Sequence, residues 1–170
     1  MAEKHKMLAV DDDDKILKVI ATILSREGHQ VETCSNPVEG LRLATEGKYD
    51  LLILDVMMPR LDGYELFERL RQDPRSKDLP VLLLTAKGRY DVIRDKSRYF
   101  LYGLYGFLSK PFYGRELAHK VNEILSVAKR TPGAQGPVGE PGGPAPVVDD
   151  RKPVEGPEDL DQADRPTEVD

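Results

Sequence analysis

The chain has 170 residues and a formal net charge of −5, long enough for one domain with a proper core and some residues to spare. Residues 131–170 carry ten acids against three bases, whereas residues 1–130 carry 22 bases against 20 acids, so the main part has no large basic field to support direct nucleic-acid binding. A single cysteine, Cys34, excludes an internal disulfide or a cysteine-based metal cluster, and the lack of a signal segment or of a run near the ~20 apolar residues of a membrane span leads us to expect a soluble cytoplasmic protein without membrane insertion.

In chain order, residues 6–10 read as a strand. The next helix runs from 14 to 27, with Ile16, Leu17, Ile20, Ile23 and Leu24 on one side at helical spacing. Gly28 stops it, and residues 30–34 make a second strand on which Cys34 is expected as a small buried hydrophobe. Asn36-Pro37 starts a helix with a cap and a first-turn proline, and Val38, Leu41, Leu43 and Ala44 form its apolar side up to Gly47. The continuously apolar run 51–54 predicts a central strand. Asp62 caps a helix through Leu66, Phe67 and Leu70, and Pro74 and Pro80 bracket the loop to a strand at 81–84. A weaker strand at 104–108 precedes a helix from 113 to 128, where Leu117, Val121, Ile124 and Leu125 recur three or four apart.

Two segments stand apart. Between Lys87 and Gly106 the pattern predicts a short, irregular helix crowded with tyrosines. Tyr90, Tyr99, Tyr102 and Tyr105 there are candidates for a partner surface, the alternative being the packing of an unusual loop. Residues 131–170 hold eight prolines, six glycines and no aromatic residue, and predict a disordered, Pro/Gly-rich acidic tail after a domain spanning 1–130. That tail could be solubilising, or an acidic tether for a basic partner.

Four of the five strand runs end in a polar residue that can do chemistry. The first ends in Asp11-Asp12-Asp13-Asp14, the third in Asp55, the fourth in Thr85 and the fifth in Lys110-Pro111. Short apolar strands alternating with helices form a parallel sheet covered on both faces, whose chemistry gathers at the carboxyl ends of the strands. Carboxylates brought together there repel unless a cation lies among them, and magnesium suits an all-oxygen site completed by water and a phosphate oxygen. Asp55 is the candidate nucleophile toward a phosphoryl group, Lys110 supplies positive charge and Thr85 a hydroxyl donor. Pro111 allows a cis peptide after the lysine. Four consecutive acids could otherwise be a solvated loop with one helix cap.

These residues resemble the receiver domain of bacterial two-component response regulators, over roughly residues 6–128. The most specific string is Leu54-Asp55-Val56-Met57-Met58-Pro59-Arg60-Leu61-Asp62-Gly63, with Thr85-Ala86 and Lys110-Pro111-Phe112 in support. The resemblance implies a doubly wound, flavodoxin-like α/β fold: a five-stranded parallel sheet of order 2-1-3-4-5 with helices on both faces. It places the acidic pair on Asp11 and Asp12, the phosphoacceptor on Asp55, the switch hydroxyl on Thr85, the lysine on Lys110 and the switch aromatic on Phe107. It also implies a Mg2+ site from Asp12, Asp55 and the backbone carbonyl of Met57, with Asp11 further back. The implied donor is a histidine kinase or histidine phosphotransfer protein. The output is a downstream target protein, and a homodimer is compatible with the family. The chain departs from the family between Thr85 and Lys110, where it is a few residues longer and carries Tyr102-Gly103-Leu104-Tyr105-Gly106 before the switch aromatic.

Three functions follow from this reading. The first is a single-domain regulator that accepts a phosphoryl group and controls another protein, since 131–170 cannot form an effector domain; motility, chemotaxis-like signalling and a phosphorelay step all fit. The second is a receiver-fold scaffold working without phosphate through segment 87–106. The third, a general aspartate-nucleophile phosphatase, is rejected because the position two residues after Asp55 is Met57 rather than a second acid.

Overall fold

Apolar runs and capped amphipathic segments alternate along the chain and arrange five strands between two helical layers. The computed structural model describes residues 3–86 and 104–130. These form β1 (Lys6–Val10), α1 (Asp14–Arg26), β2 (Gln30–Cys34), α2 (Pro37–Glu46), β3 (Leu51–Asp55), α3 (Gly63–Gln72), β4 (Val81–Ala86), β5 (Leu104–Lys110) and α4 (Gly114–Arg130). The irregular helix expected after Lys87 and the candidate residues Tyr90, Tyr99 and Tyr102 lie outside the described residues, as does the tail from 131.

The sheet order is β2-β1-β3-β4-β5 and every neighbouring pair is parallel. This is the expected doubly wound, flavodoxin-like sheet. Period-two alternation sends Met7, Ala9, Leu51, Ile53, Leu82 and Leu84 to one face, against α1 and α4. Leu8, Val10, Leu52, Leu54, Val81 and Leu83 go to the other, against α3 and α2. All five residues of β3 are buried, which accounts for its unbroken apolar run.

Helix starts follow the capping residues. Asp13 accepts from the Lys15 N–H, Asn36 from Val38 and Glu39, and Asp62 from Glu65. The buried face of α2 differs from the expected one: Pro37, Gly40 and Ala44 face the sheet, and Val38 is 58% exposed. The cause is a close approach at Gly40, where a Cβ would sit 2.8 Å from both methyls of Val10. That approach turns the helix so that its small residues, not Val38, meet β1.

Tyr105 also departs from expectation. It is 4% exposed and belongs to the core layer beside α4, not to a surface. Its burial comes from a β-bulge. Val81 pairs with Leu104 and Leu82 with Gly106, so Tyr105 is the extra residue between them. Gly106 faces Lys120 and Ile124 of α4, on the same side as Tyr105.

Phe67 holds α3 to the sheet; it is fully buried, with the Arg71 guanidinium 4.6 Å from its ring centroid. Phe67→Ala should cost about 3–5 kcal/mol through lost burial and the cavity left behind. The urea midpoint of the variant measures this.

Candidate functional site

The carboxyl ends of β1, β3, β4 and β5 converge at one end of the sheet. The cross-strand register puts Val10 beside Leu54, Asp55 beside Leu84, and Ala86 beside Lys110. Asp11, one residue past β1, is 1% exposed, and Asp55 is 3% exposed. Lys110 reaches between them: its Nζ lies 2.7 Å from Asp11 Oδ2 and 2.9 Å from Asp55 Oδ1. The Lys110–Pro111 peptide is cis.

The four-aspartate run divides into distinct tasks. Asp11 pairs with Lys110 and its other oxygen accepts the Asp13 N–H at 2.9 Å. Asp13 caps α1, and Asp14 begins that helix. Asp12 is exposed and points a carboxylate toward the same spot, so that ligand atoms of Asp11, Asp12 and Asp55 lie within 4.8 Å of one another. One acid of the run is indeed a helix cap, but two others belong to a cluster with Asp55.

Burial and mutual repulsion shape the charges. Burial, followed by the Asp11 charge, pushes the Asp55 carboxyl up to about 6 against the pull of Lys110. Burial likewise holds Asp11 above the ordinary carboxylate range. For Lys110 burial disfavours the charge, but Asp55 and Asp11 together outweigh it and raise the ammonium above its usual value. The result is a crowded anionic pocket in which, among the described residues, Lys110 offsets two buried carboxylates.

Thr85 lies beside Ser109 in the β4–β5 ladder and is 2% exposed. Its buried Oγ1 has no hydrogen-bond partner among the described residues. An orphaned buried hydroxyl costs about 1–3 kcal/mol, which is a reason to expect an oxygen-rich ligand there. The acid cluster and this hydroxyl fit a divalent cation together with a phosphoryl group. Phe107 is half-buried against the core layer on the α3 side, while Met57 is 47% exposed in the loop after β3.

Two features of that loop carry no signal in hydropathy. Arg60 adopts φ +73°, a left-handed conformation unusual for a residue with a side chain. Gly63 donates its N–H to Val56 O at 2.9 Å, and a Cβ on it would lie 2.3 Å from the Asp55 carbonyl oxygen and 2.8 Å from Val56 Cα. The atoms it would meet are backbone and cannot swing away. Gly63→Ala should therefore displace the Asp55 segment, costing about 1–3 kcal/mol. The urea midpoint of the variant reads this cost.

Comparison with known proteins agrees with this geometry. The response regulator receiver domain family matches residues 7–122. The chain belongs to that family. Among curated relatives, the receiver chain is 36% identical over 129 residues to the DNA-binding dual master transcriptional regulator RpaA of Synechocystis, covering 76% of this chain and 52% of the relative. It thus spans about half the length of the curated relatives it matches. Among solved structures it is similar to chemotaxis protein CheY4 of Vibrio cholerae, with TM-score 0.64 and 30% identity, over 72% of this chain and 99% of that one. A Francisella response regulator receiver domain superposes with TM-score 0.63 at 32% identity, over 72% of this chain and 97% of that one. The described residues of the receiver chain include no helix long and apolar enough to cross a membrane.

Proposed function

We propose that this receiver accepts a phosphoryl group on Asp55 from a phosphohistidine of a histidine kinase or phosphotransfer protein, and signals by protein–protein contact. The observation that carries the reading is Lys110 bridging Asp11 and Asp55 beside an unsatisfied, buried Thr85 hydroxyl. An Asp55 carboxylate oxygen attacks phosphorus while the P–N bond to the donor imidazole breaks, its electron pair returning to that nitrogen. The product is an acyl phosphate on Asp55. Lys110 and the Thr85 hydroxyl then face the new phosphoryl oxygens, one as a charge and one as a hydrogen-bond donor. Asp12, Asp55 and the Met57 carbonyl, with Asp11 behind them, are the groups to hold Mg2+, which when bound neutralises charge on the phosphoryl group. Water reaching the same site would return the aspartate and release phosphate.

Phosphorylation biases two packings of the β4–β5 end of the sheet, as Thr85 is drawn toward phosphate and the half-buried Phe107 follows. The receiver unit in this proposal is residues 1–130, with the acidic 131–170 segment outside it. The scaffold reading loses one of its four tyrosines, because Tyr105 is core.

The test is incubation with Mg2+ and a small phosphodonor, followed by mass mapping of a base-labile adduct. A folded protein that fails to label, alongside a control receiver that does, would overturn the proposal. Thr85→Val sharpens it. The isosteric change removes the orphan hydroxyl, so stability should hold or rise by about 1 kcal/mol. The label should still form but no longer shift the Phe107 environment in NMR spectra.

A further inference from the structure

At the opposite end of the sheet, two buried histidines lie across the amino ends of adjacent strands. His5, 9% exposed, precedes β1, and His29, 7% exposed, precedes β2. Their ring centroids are 5.6 Å apart. The His29 Nδ1 accepts the His5 backbone N–H at 3.4 Å, and Gln30 N–H donates back to His5 O at 2.8 Å. His29 is anchored from the other side by its own N–H to Leu24 O. The surroundings are mixed in charge. Asp50, before β3, lies 3.5 Å from His5 Nδ1 and accepts the Lys6 N–H. Glu27, at the end of α1, and Asp50 both favour charge on His29, and His5 opposes it. Glu3, near His5, is engaged by Lys129 of α4.

We propose that His5 and His29 form an acid-sensitive clasp that fastens the amino end of edge strand β2 to β1 and opens on protonation of His29. To accept the His5 N–H, the His29 Nδ1 must carry no proton. A proton there would turn the acceptor into a donor facing a donor, with a charge in a buried place. Burial, then the neighbouring His5, holds His29 below the ordinary histidine value, against the weaker pull of Glu27 and Asp50. The unfolded or opened state therefore binds the proton more readily. The clasp is fully closed above about pH 6.5 and loosens as pH falls below that value. Opening unpairs the first rung of the edge strand.

Amide hydrogen exchange and histidine NMR test this, in an Asp55→Asn background so that titration of the Asp55 carboxyl does not contribute to the pH dependence. At pH 7.5 His29 should be the tautomer protonated on Nε2. Protection factors of the His5 and Gln30 amides should fall on acidification by up to about tenfold per pH unit. His29→Asn, which keeps an acceptor near the Nδ1 position but cannot titrate, should hold those amides protected at both pH values. His29→Leu should lose their protection even at pH 7.5, and the asparagine comparison decides the matter alone if the leucine variant does not fold. Equal pH dependence in wild type and His29→Asn, or an Nδ1-protonated His29 at pH 7.5, would overturn the proposal.

Discussion

Asp55→Asn should abolish phosphoryl labelling and at the same time make the protein more stable at neutral pH. The first effect follows from removing the attacking oxygen. The second follows from the burial that pushes Asp55 up to about 6, from an ordinary value of 3.8. Because the folded value lies above the unfolded one, the contribution of Asp55 is complete below about pH 4 and is lost as pH climbs through about 6. A shift of this size corresponds to something on the order of 3 kcal/mol at neutral pH. Asparagine carries no charge at any pH, and Lys110 keeps Asp11 as a partner at 2.7 Å. Urea midpoints at pH 7.5 and pH 4.5 should therefore separate the two proteins widely at the first pH and little at the second. An unlabelled variant no more stable than wild type would show that Asp55 is held without cost; a variant that still labels at residue 55 would remove the nucleophile assignment.

Lys110→Met should have the opposite effect on stability and an equally severe one on chemistry. The lysine is the shared counter-ion of two carboxylates that are almost wholly buried. Removing one member of such a group leaves uncompensated buried charge, at a cost of about 3–5 kcal/mol. The loss belongs to neutral pH: as acid protonates Asp11 and Asp55, both raised above the ordinary range, the variant should recover toward wild type. Millimolar Mg2+ should restore part of the lost stability at pH 7.5 in the variant, and chelation should remove that gain. Labelling by a small phosphodonor should fall by about two to three orders of magnitude, the scale of losing one electrostatic stabiliser. A variant with unchanged stability and labelling rate would mean that the lysine is an ordinary surface cation.

The architecture was legible because the strands are apolar and the helices announce their starts. Residues 6–10 and 30–34 are strands as the periodicity predicts, and Asp62 and Asn36 cap helices as their side chains allow. The predicted ends fell short where the chemistry lies. β3 continues to Asp55, β4 to Ala86 and β5 to Lys110, since a parallel ladder pairs backbone groups and is indifferent to whether the side chain is polar. Hydropathy stops at the last apolar residue; hydrogen bonding does not. Asp11, Asp12 and Asp55 were recoverable as strand-end acids, and they do meet. Gly63 and Arg60 stood out only as members of a motif, and their backbone roles were not legible, because close backbone approach and a left-handed turn depend on what the chain folds against. Val38 and Tyr105 misled for a related reason. The helix rotation at Gly40 and the extra residue in β5 each reverse which side a residue presents, without altering composition.

The bulge at Tyr105 bears on how this chain tolerates change. One surplus residue in β5 is accommodated opposite the step from Val81 to Leu82. Downstream of it Phe107 and Lys110 stand in step with Leu83 and Ala86. A one-residue offset between the strands is thus absorbed at position 105 and does not reach the reactive end, which keeps its phase.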